Sequence, residues 1–388
     1  CFVATTISGK ASNSENLQIR RNGMDQFVGW LLDAAKLVAS DVHLVVGYRP
    51  TRRQHGELVS ISEHVLSNSD IEACLKNICT AEQYQVFASE RNLDFAFTLD
   101  ANGQLQKTGS FEEGGQRFRG NLFYSCENTG ACIRVIPNRI PELEENNFPT
   151  DLAERLVSYR NGLIIFSGVS GSGKTTSMAM ILNAIAKQGG KRVITIEDPV
   201  EYLFPHIGNS IITQREVGLD VGCFSSGLRH ALRQDPDIIL VGEIRDAETA
   251  RIAMSAAETG HLVLSTLHSR DAKGAITRMW DLFPPALQNE TQTMLAASLR
   301  GVVCQHLLPS SIPGERRELA LEVVLRNNAV AAGVRTGRID TLETAILAGR
   351  KDGMVNLDDS LGDLLRQGRI TQETAIQFAT DPRQLTRI

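Results

Sequence analysis

The chain has 388 residues, more than one compact domain usually holds, so two or three folded units are expected. Its composition, 42% hydrophobic and 22% charged, is that of a globular protein, and no run of about 20 apolar residues is present to span a membrane as a helix. A formal net charge of −5 argues against non-specific nucleic-acid binding as the main role, while leaving room for a local basic groove.

The chain opens on Cys1 and a polar stretch without the apolar core of a signal peptide, and residues 1–24 are expected to be disordered. The cysteines (Cys1, Cys74, Cys79, Cys126, Cys132, Cys223, Cys304) are odd in number and irregularly spaced. They read as free thiols of a reducing cytoplasm. Cys126 and Cys132 flank Asn128-Thr129-Gly130, where a hairpin explains the spacing as well as a metal does.

Residues 25–136 form the first unit. An amphipathic helix is predicted over Gln26–Val38, then a strand at Val42–Val46 and helices at Asn68–Thr80 and Ala81–Arg91. Leu93–Leu99 alternates apolar and polar residues as a half-buried strand does, and Arg117–Tyr124 and Ala131–Ile136 read as a strand pair. This is a small α+β domain with a mostly antiparallel sheet. Residues 137–149 carry three prolines and a charge cluster and read as a linker, with a flexible hinge at Glu142–Asn147.

From residue 150 to 388 strands alternate with helices. Strands are predicted at Leu163–Ser167, Arg192–Ile196, Ile238–Val241 and Leu262–Thr266, and helices at Thr176–Lys187, Ser225–Arg233 and Ala247–Thr259. That order implies an α/β core with a largely parallel sheet, whose ligands bind at the carboxyl ends of the strands. The part beyond Pro284 reads as mainly helical. Leu357–Leu385 looks like a helical hairpin with Gly368 near its corner.

The carboxyl end of the first of these strands is the most telling. Gly168–Thr175 reads Gly-Val-Ser-Gly-Ser-Gly-Lys-Thr between an apolar strand and a helix, the P-loop pattern in its proper setting. Gly168, Ser170, Gly171, Ser172 and Gly173 would turn backbone N–H groups toward one point, where the helix N-terminus adds its partial positive charge. Lys174 would neutralise outer phosphate charge, the hydroxyl of Thr175 would sit on Mg²⁺, and Thr176 opens the helix behind them. The expected ligand is therefore ATP or another nucleoside triphosphate, with Mg²⁺.

The next strand ends in Glu197-Asp198-Pro199-Val200-Glu201, acids that suit Mg²⁺ and water management beside a triphosphate. Ile238–Val241 ends in Gly242-Glu243, where a carboxylate can orient or deprotonate an attacking water. His268 falls at the carboxyl end of the last strand, placed to sense a γ-phosphate. His261 sits at the opposite end, where capping is as good a reading. Arg117, Arg119 and Arg134 lie on strands of the first unit, and Arg215, Arg229, Arg233, Arg245, Arg270 and Arg278 in the second. Arginine often stabilises phosphoryl-transfer charge, sometimes from a neighbouring subunit.

Taken in order, Gly168–Thr176, Thr195–Tyr202, Gln214–Gly218, Leu232–Asp246 and Thr259–His268 resemble the Walker A, Asp box, Walker B and His box segments of the secretion ATPase superfamily, which powers type II and type IV secretion and type IV pili. Ala39–Leu44, Arg117–Asn121 and Arg134–Pro137 resemble segments of the same family's first domain. The likeness runs over about residues 25–380 and is greatest to PilT-like pilus-retraction ATPases. It implies a RecA-like core, a PAS-like first domain and a helical tail from about residue 284. It implies a homohexamer with ATP sites between subunits, at the cytoplasmic face of the inner membrane and held there by a platform protein, with no sequence-specific nucleic acid as partner. It also implies that Glu243 is the catalytic carboxylate, that Glu197 and Glu201 surround Mg²⁺ and water, that His268 contacts the γ-phosphate region, and that Arg117, Arg119 or Arg134 reaches a neighbour's nucleotide.

Three departures stand out. Val169-Ser170 replaces the usual Pro-Thr, Gly120 replaces a usual Val, and the retraction motif is reduced to Ala329–Arg335 without its first Arg and its Asn. A Dot/Tra type IVB ATPase fits this divergence too. The rival classes are an ATP-dependent nucleic-acid motor, disfavoured by charge and by the Asp and His boxes, and a hydrolysis-dead regulatory subunit, disfavoured by the intact Lys174, Thr175, Glu243 and His268.

Overall fold

A computed structural model of the chain describes residues 26–100, 102–106 and 115–386. The disorder expected of residues 1–24 lies outside these. The chain divides into two compact units, Cys1–Asn138 and Arg139–Ile388.

In the first unit α1 spans residues 26–36, followed by β1 (Asp41–Leu44), β2 (Thr51–Gln54) and β3 (Glu57–Ser60). Then come α2 (Asn68–Ile78), α3 (Ala81–Glu90), β4 (Asn92–Leu99), β5 (Leu105–Gln106), β6 (Gln116–Ser125) and β7 (Asn128–Val135). Ser67 with Asp70, and Thr80 with Gln83, form capping boxes that start the two middle helices. Among the described residues the strands make one antiparallel sheet in the order β3-β2-β1-β7-β6-β4-β5. The hairpin β2–β3 turns at His55-Gly56 and β6–β7 at Cys126-Glu127, all four at positive φ, as two-residue hairpin loops require. So Cys126 is in a turn and Cys132 in a strand, and Asn128-Thr129-Gly130 begins that strand.

One face of this sheet is core. Val42, Leu44, Phe97, Leu99, Phe118, Leu122 and Ile133 pack there with Phe27 and Leu31 of α1, Ile71 and Leu75 of α2 and Phe87 of α3. Gly120 belongs to this face for a steric reason: a Cβ would stand 2.5 Å from Cε1 of Phe95. The glycine leaves room for the ring of its cross-strand neighbour.

The second unit begins earlier than the expected linker allows. Ile140 and Phe148 are buried in its core, Arg139 and Glu145 form a two-fold ion pair at 2.9 Å, and Lys187 donates to Glu142 at 2.8 Å. The stretch expected to be a flexible hinge at Glu142–Asn147 is thus pinned to this unit, because two apolar residues among the prolines anchor it. There follow α4 (Thr150–Ser158), β8 (Gly162–Ser167), α5 (Lys174–Lys187), β9 (Arg192–Glu197), β10 (Ile211–Glu216), α6 (Phe224–Ala231), β11 (Ile238–Val241), α7 (Ala247–Glu258), β12 (Leu262–Leu267), α8 (Ala272–Asp281), α9 (Gln288–Ser298), β13 (Leu299–Leu308) and β14 (Glu318–Leu325). The chain ends in α10 (Asn328–Thr336), α11 (Thr341–Ala348), α12 (Leu357–Arg366), α13 (Gln372–Phe378) and α14 (Pro382–Leu385).

The sheet order is β10-β9-β11-β12-β8-β13-β14, parallel except for the last pair. β8, β11 and β12 are buried along their whole length, as strands covered on both faces must be. Two findings go beyond the sequence reading. β10 is an added edge strand, and the mainly helical part beyond Pro284 contains the strands β13 and β14. The divergent segment Ala329–Arg335 lies in α10, with Val330, Gly333 and Val334 buried. Among the described residues no helix is long and apolar enough to cross a membrane, and the cysteines form no disulfide.

Candidate functional site

The parallel register brings the carboxyl ends of β8, β9, β11 and β12 to one edge of the sheet. Each ends in a segment that the sequence marks for chemistry.

β8 leads into the glycine-rich loop. Gly168 has φ +144°, and a Cβ there would meet Ser172 Oγ at 2.4 Å and the Gln305 carbonyl of β13 at 2.5 Å. Gly173, at φ +87°, turns the loop into α5. Gly171 also has positive φ, while Ser170 and Gly171 form the exposed crest. Lys174 opens the helix, 7% exposed, and its Nζ donates to the carbonyls of Gly168 (2.8 Å) and Val169 (3.0 Å). Burial draws its pKa below the usual lysine value. Among the described residues it has no ion-pair partner, and the neighbouring Ser172 Oγ is buried without a hydrogen bond. A buried ammonium hydrogen-bonded to two carbonyls at a helix N-terminus, with the carboxylate of Glu201 as a more distant counter-charge, suits a phosphate. Thr175 follows on the first turn, and Thr176 Oγ1 is 2.9 Å from the hydroxyl of Tyr202.

Glu197 ends β9 only 5% exposed. Burial pushes its carboxyl up to about 7, against the pull of hydrogen bonds from Thr195 Oγ1 (2.6 Å) and Gln214 Nε2 (3.2 Å), with Glu201 adding to the rise. A buried carboxyl near neutrality gains from a cation, so the donor set fits Mg²⁺. The loop after it, with Glu201 and Tyr202, is tied to β10: Glu216 accepts the N–H of Val200 at 3.0 Å, and Gln214 accepts that of Phe204 at 2.9 Å.

Glu243 follows β11 with its side chain 15% exposed. One oxygen pairs with Arg245, and the other lies 3.4 Å from Nε2 of His268 at the end of β12. Burial lowers the pKa of His268, and the positive charges of Lys174, Arg278 and Arg245 lower it further, so the ring is neutral at pH 7. Gly242 brings the two neighbouring strand ends together, since a Cβ there would lie 3.3 Å from Glu197 Cα. Ser167 and Ser269 join hydroxyls at 2.6 Å, fixing the base of the glycine loop to the segment after His268. His261, at the other end of β12, contacts the Ala256 carbonyl at 3.1 Å and closes α7.

This geometry agrees with comparison to known proteins. Residues 125–384 match the model of the family described as Type II/IV secretion system protein. The chain belongs to this family. The YggR protein of Escherichia coli is 36% identical over 85% of this chain and 95% of its own length. The type IV pilus retractation ATPase PilT of Pseudomonas aeruginosa is 35% identical over 90% of this chain and 96% of its own. The crystal structure of the pilus retraction motor PilT with bound ADP aligns at a TM-score of 0.77 and 34% identity, over 93% of this chain and 99% of that one. As a secretion ATPase of PilT-like architecture, the chain is an enzyme that hydrolyses ATP.

The structure gathers Lys174, Glu197, Glu201, Glu243 and His268 on one sheet edge. Arg119 and Arg134 belong to the other unit, on neighbouring strands and directly opposite each other. Arg119 is 3.6 Å from Asp94, and Arg134 Nε donates to Asp41 at 3.1 Å. Gln214, Tyr202 and Ser269 join the site through the fold, and nothing in the sequence by itself assigns them to it. The motif Gln214–Gly218 was the signal, but its role needs β10 to lie beside β9.

Proposed function

We propose that this secretion ATPase is the motor subunit of a type IV pilus or of a related type IV secretion or conjugation machine. It works as a homohexamer on a platform protein at the cytoplasmic face of the inner membrane. The observation that carries this is the convergence of the glycine loop, the buried Glu197, the half-buried Glu243 and His268 on four adjacent strand ends.

The loop amides and Lys174 bind the β- and γ-phosphates of ATP, with Gly168, Ser170, Gly171, Ser172, Gly173 and Thr176 shaping the cradle. Thr175 and Glu197 are the residues that would hold Mg²⁺, with Glu201 beside them; the ion supplies neutralisation of developing phosphate charge. Glu243 holds the water in line and takes its proton as the water oxygen bonds to the γ-phosphorus and the bond from that phosphorus to the β–γ bridging oxygen breaks, with ADP as the leaving group. His268, neutral, donates a hydrogen bond toward the γ-phosphate and loses that contact with ADP, giving the differential interaction that a motor needs. Arg119 and Arg134 act on a neighbour's nucleotide. The pilus motors among the relatives support the mechanical role.

Glu243→Gln tests the assignment. The variant keeps ATP affinity and loses hydrolysis, because the amide preserves shape and removes basicity. Hydrolysis near the wild-type rate refutes the role of Glu243. Mixing Arg119→Ala with Lys174→Ala subunits restores activity if the arginine works across a subunit boundary.

A further inference from the structure

Gln214 stands on β10, opposite Thr195 in the parallel register with β9. Its amide is engaged three times. Nε2 donates to Glu197 Oε1 (3.2 Å) and to the Tyr202 carbonyl (2.8 Å), while Oε1 accepts the Phe204 N–H (2.9 Å). The partners fix which end is which: reversed, the amide oxygen would face two acceptors and the NH₂ a donor. Two residues on, Glu216 accepts the N–H of Val200. The loop of residues 198–204 is therefore sewn to β10 at three backbone groups. At its far side the Tyr202 hydroxyl meets Thr176 on the first turn of α5.

The geometry points to Gln214 as a positioning residue of the ATPase site, whose single amide sets both the carboxylate of Glu197 and the loop carrying Glu201 against the glycine-loop helix. The inference rests on the roles proposed above for those two acids. An edge strand with half-buried residues is an unusual place for such a dependence. The half-buried side chain of Gln214 can reach the neighbouring strand end because it is not packed into the core. Glutamine is required by count: two donors and one acceptor at that reach, which Glu cannot supply and Asn, one methylene shorter, cannot span.

The test compares full-length Gln214→Glu, Gln214→Ala and Glu197→Gln with wild type. Gln214→Glu keeps the volume and the acceptor for Phe204 but loses both donations. ATP turnover, affinity for a fluorescent ATP analogue, melting temperature and amide exchange of residues 198–204 are the readouts. For both Gln214 variants kcat falls about 10- to 100-fold, the usual effect of removing a partner that orients a ligand-bearing side chain. KM and analogue affinity stay near wild type, and exchange in 198–204 rises more in Gln214→Ala than in Gln214→Glu. A near-wild-type kcat in Gln214→Glu, beside an inactive Glu197→Gln, overturns the inference alone. Loss of analogue affinity together with melting temperature also overturns it, as a merely structural effect. Near-wild-type turnover in Glu197→Gln overturns the reading of Glu197 itself, and any loss in the Gln214 variants then has another cause.

Discussion

The two sheets of this chain solve the same problem in opposite ways. The first-unit sheet is antiparallel and buries one face, so its central strands alternate: Phe97, Phe118 and Ile133 turn inward, while Thr98, Arg119 and Arg134 turn away from the core. The second-unit sheet is parallel up to its last pair and buries both faces at its centre, so β8, β11 and β12 have no side chains to spare along their length. A half-covered sheet can carry functional groups across its open face. A fully covered one can carry them only where its strands stop. The contrast explains why the candidate arginines of the first unit sit within strands, on the open face, whereas Lys174, Glu197, Glu243 and His268 all lie at or beyond a strand end.

The largest effect should come from the strand end that binds phosphate. Lys174→Ala should lower nucleotide affinity about 10- to 100-fold, the equivalent of the 1.5–3 kcal/mol of a hydrogen bond to a charged group, and turnover should vanish. A fluorescent-nucleotide titration checks this, and unchanged affinity would remove the glycine loop from the site. Next come the strand interiors. Ile239→Ala and the adjacent Leu240→Ala should each cost about 2–5 kcal/mol, since both faces of β11 are core. In β4 the adjacent pair should separate: Phe97→Ala costs about 3–5 kcal/mol and Thr98→Ala about 0.5 or less. Denaturant midpoints decide. Equal losses at Phe97 and Thr98, or unequal ones at Ile239 and Leu240, would break the comparison of the two sheets.

Legibility follows the same division. The strands β8, β11 and β12 are short, mostly apolar runs followed by Gly168, Gly242-Glu243 and His268, and those runs are visible without any tertiary knowledge. The site inherits that clarity, because a parallel sheet must deliver its strand ends together. β10 is different. Ile-Ile-Thr-Gln-Arg-Glu is mostly polar because it forms an edge, so it reads only as a motif, and the role of Gln214 depends on which strand lies next to it. β13 escapes for another reason: it starts at Leu299, directly after α9, with no Gly or Pro to mark the change of period. The hinge expected at Glu142–Asn147 fails because Pro and acidic residues mask two anchors, Ile140 and Phe148, whose burial only the folded core reveals.

A smaller effect tests the packing of the half-covered sheet. The ring of Phe95 fills the space that a side chain at Gly120 would take. Gly120→Val should destabilise the first unit by about 1–3 kcal/mol, the usual cost of overpacking. Adding Phe95→Leu should recover part of the loss, because the smaller side chain makes room. If Gly120→Val melts with wild type whether or not Phe95 is present, ring and glycine are not complementary.

The smallest effect concerns a carboxyl at the seam between sheet and helix in the second unit. Glu322 of β14 accepts the Ala272 N–H at the start of α8, at 2.7 Å. Burial raises its pKa above the ordinary glutamate value; that hydrogen bond pulls it back in part, and Asp271 and Glu343 push it up again. The folded chain therefore holds a proton at pH values where the unfolded chain has released it. Stability should fall as pH rises from the ordinary glutamate value through the raised one, and level off above it. Glu322→Gln keeps an oxygen for Ala272 and cannot titrate, so its stability should lack this decline. Wild type and variant should nearly coincide at the acid end of the window, with the variant ahead at the alkaline end. Melting curves across the window measure the difference. A wild-type advantage that grows with pH would mean that the ionised carboxylate, rather than the neutral acid, is the form this seam prefers.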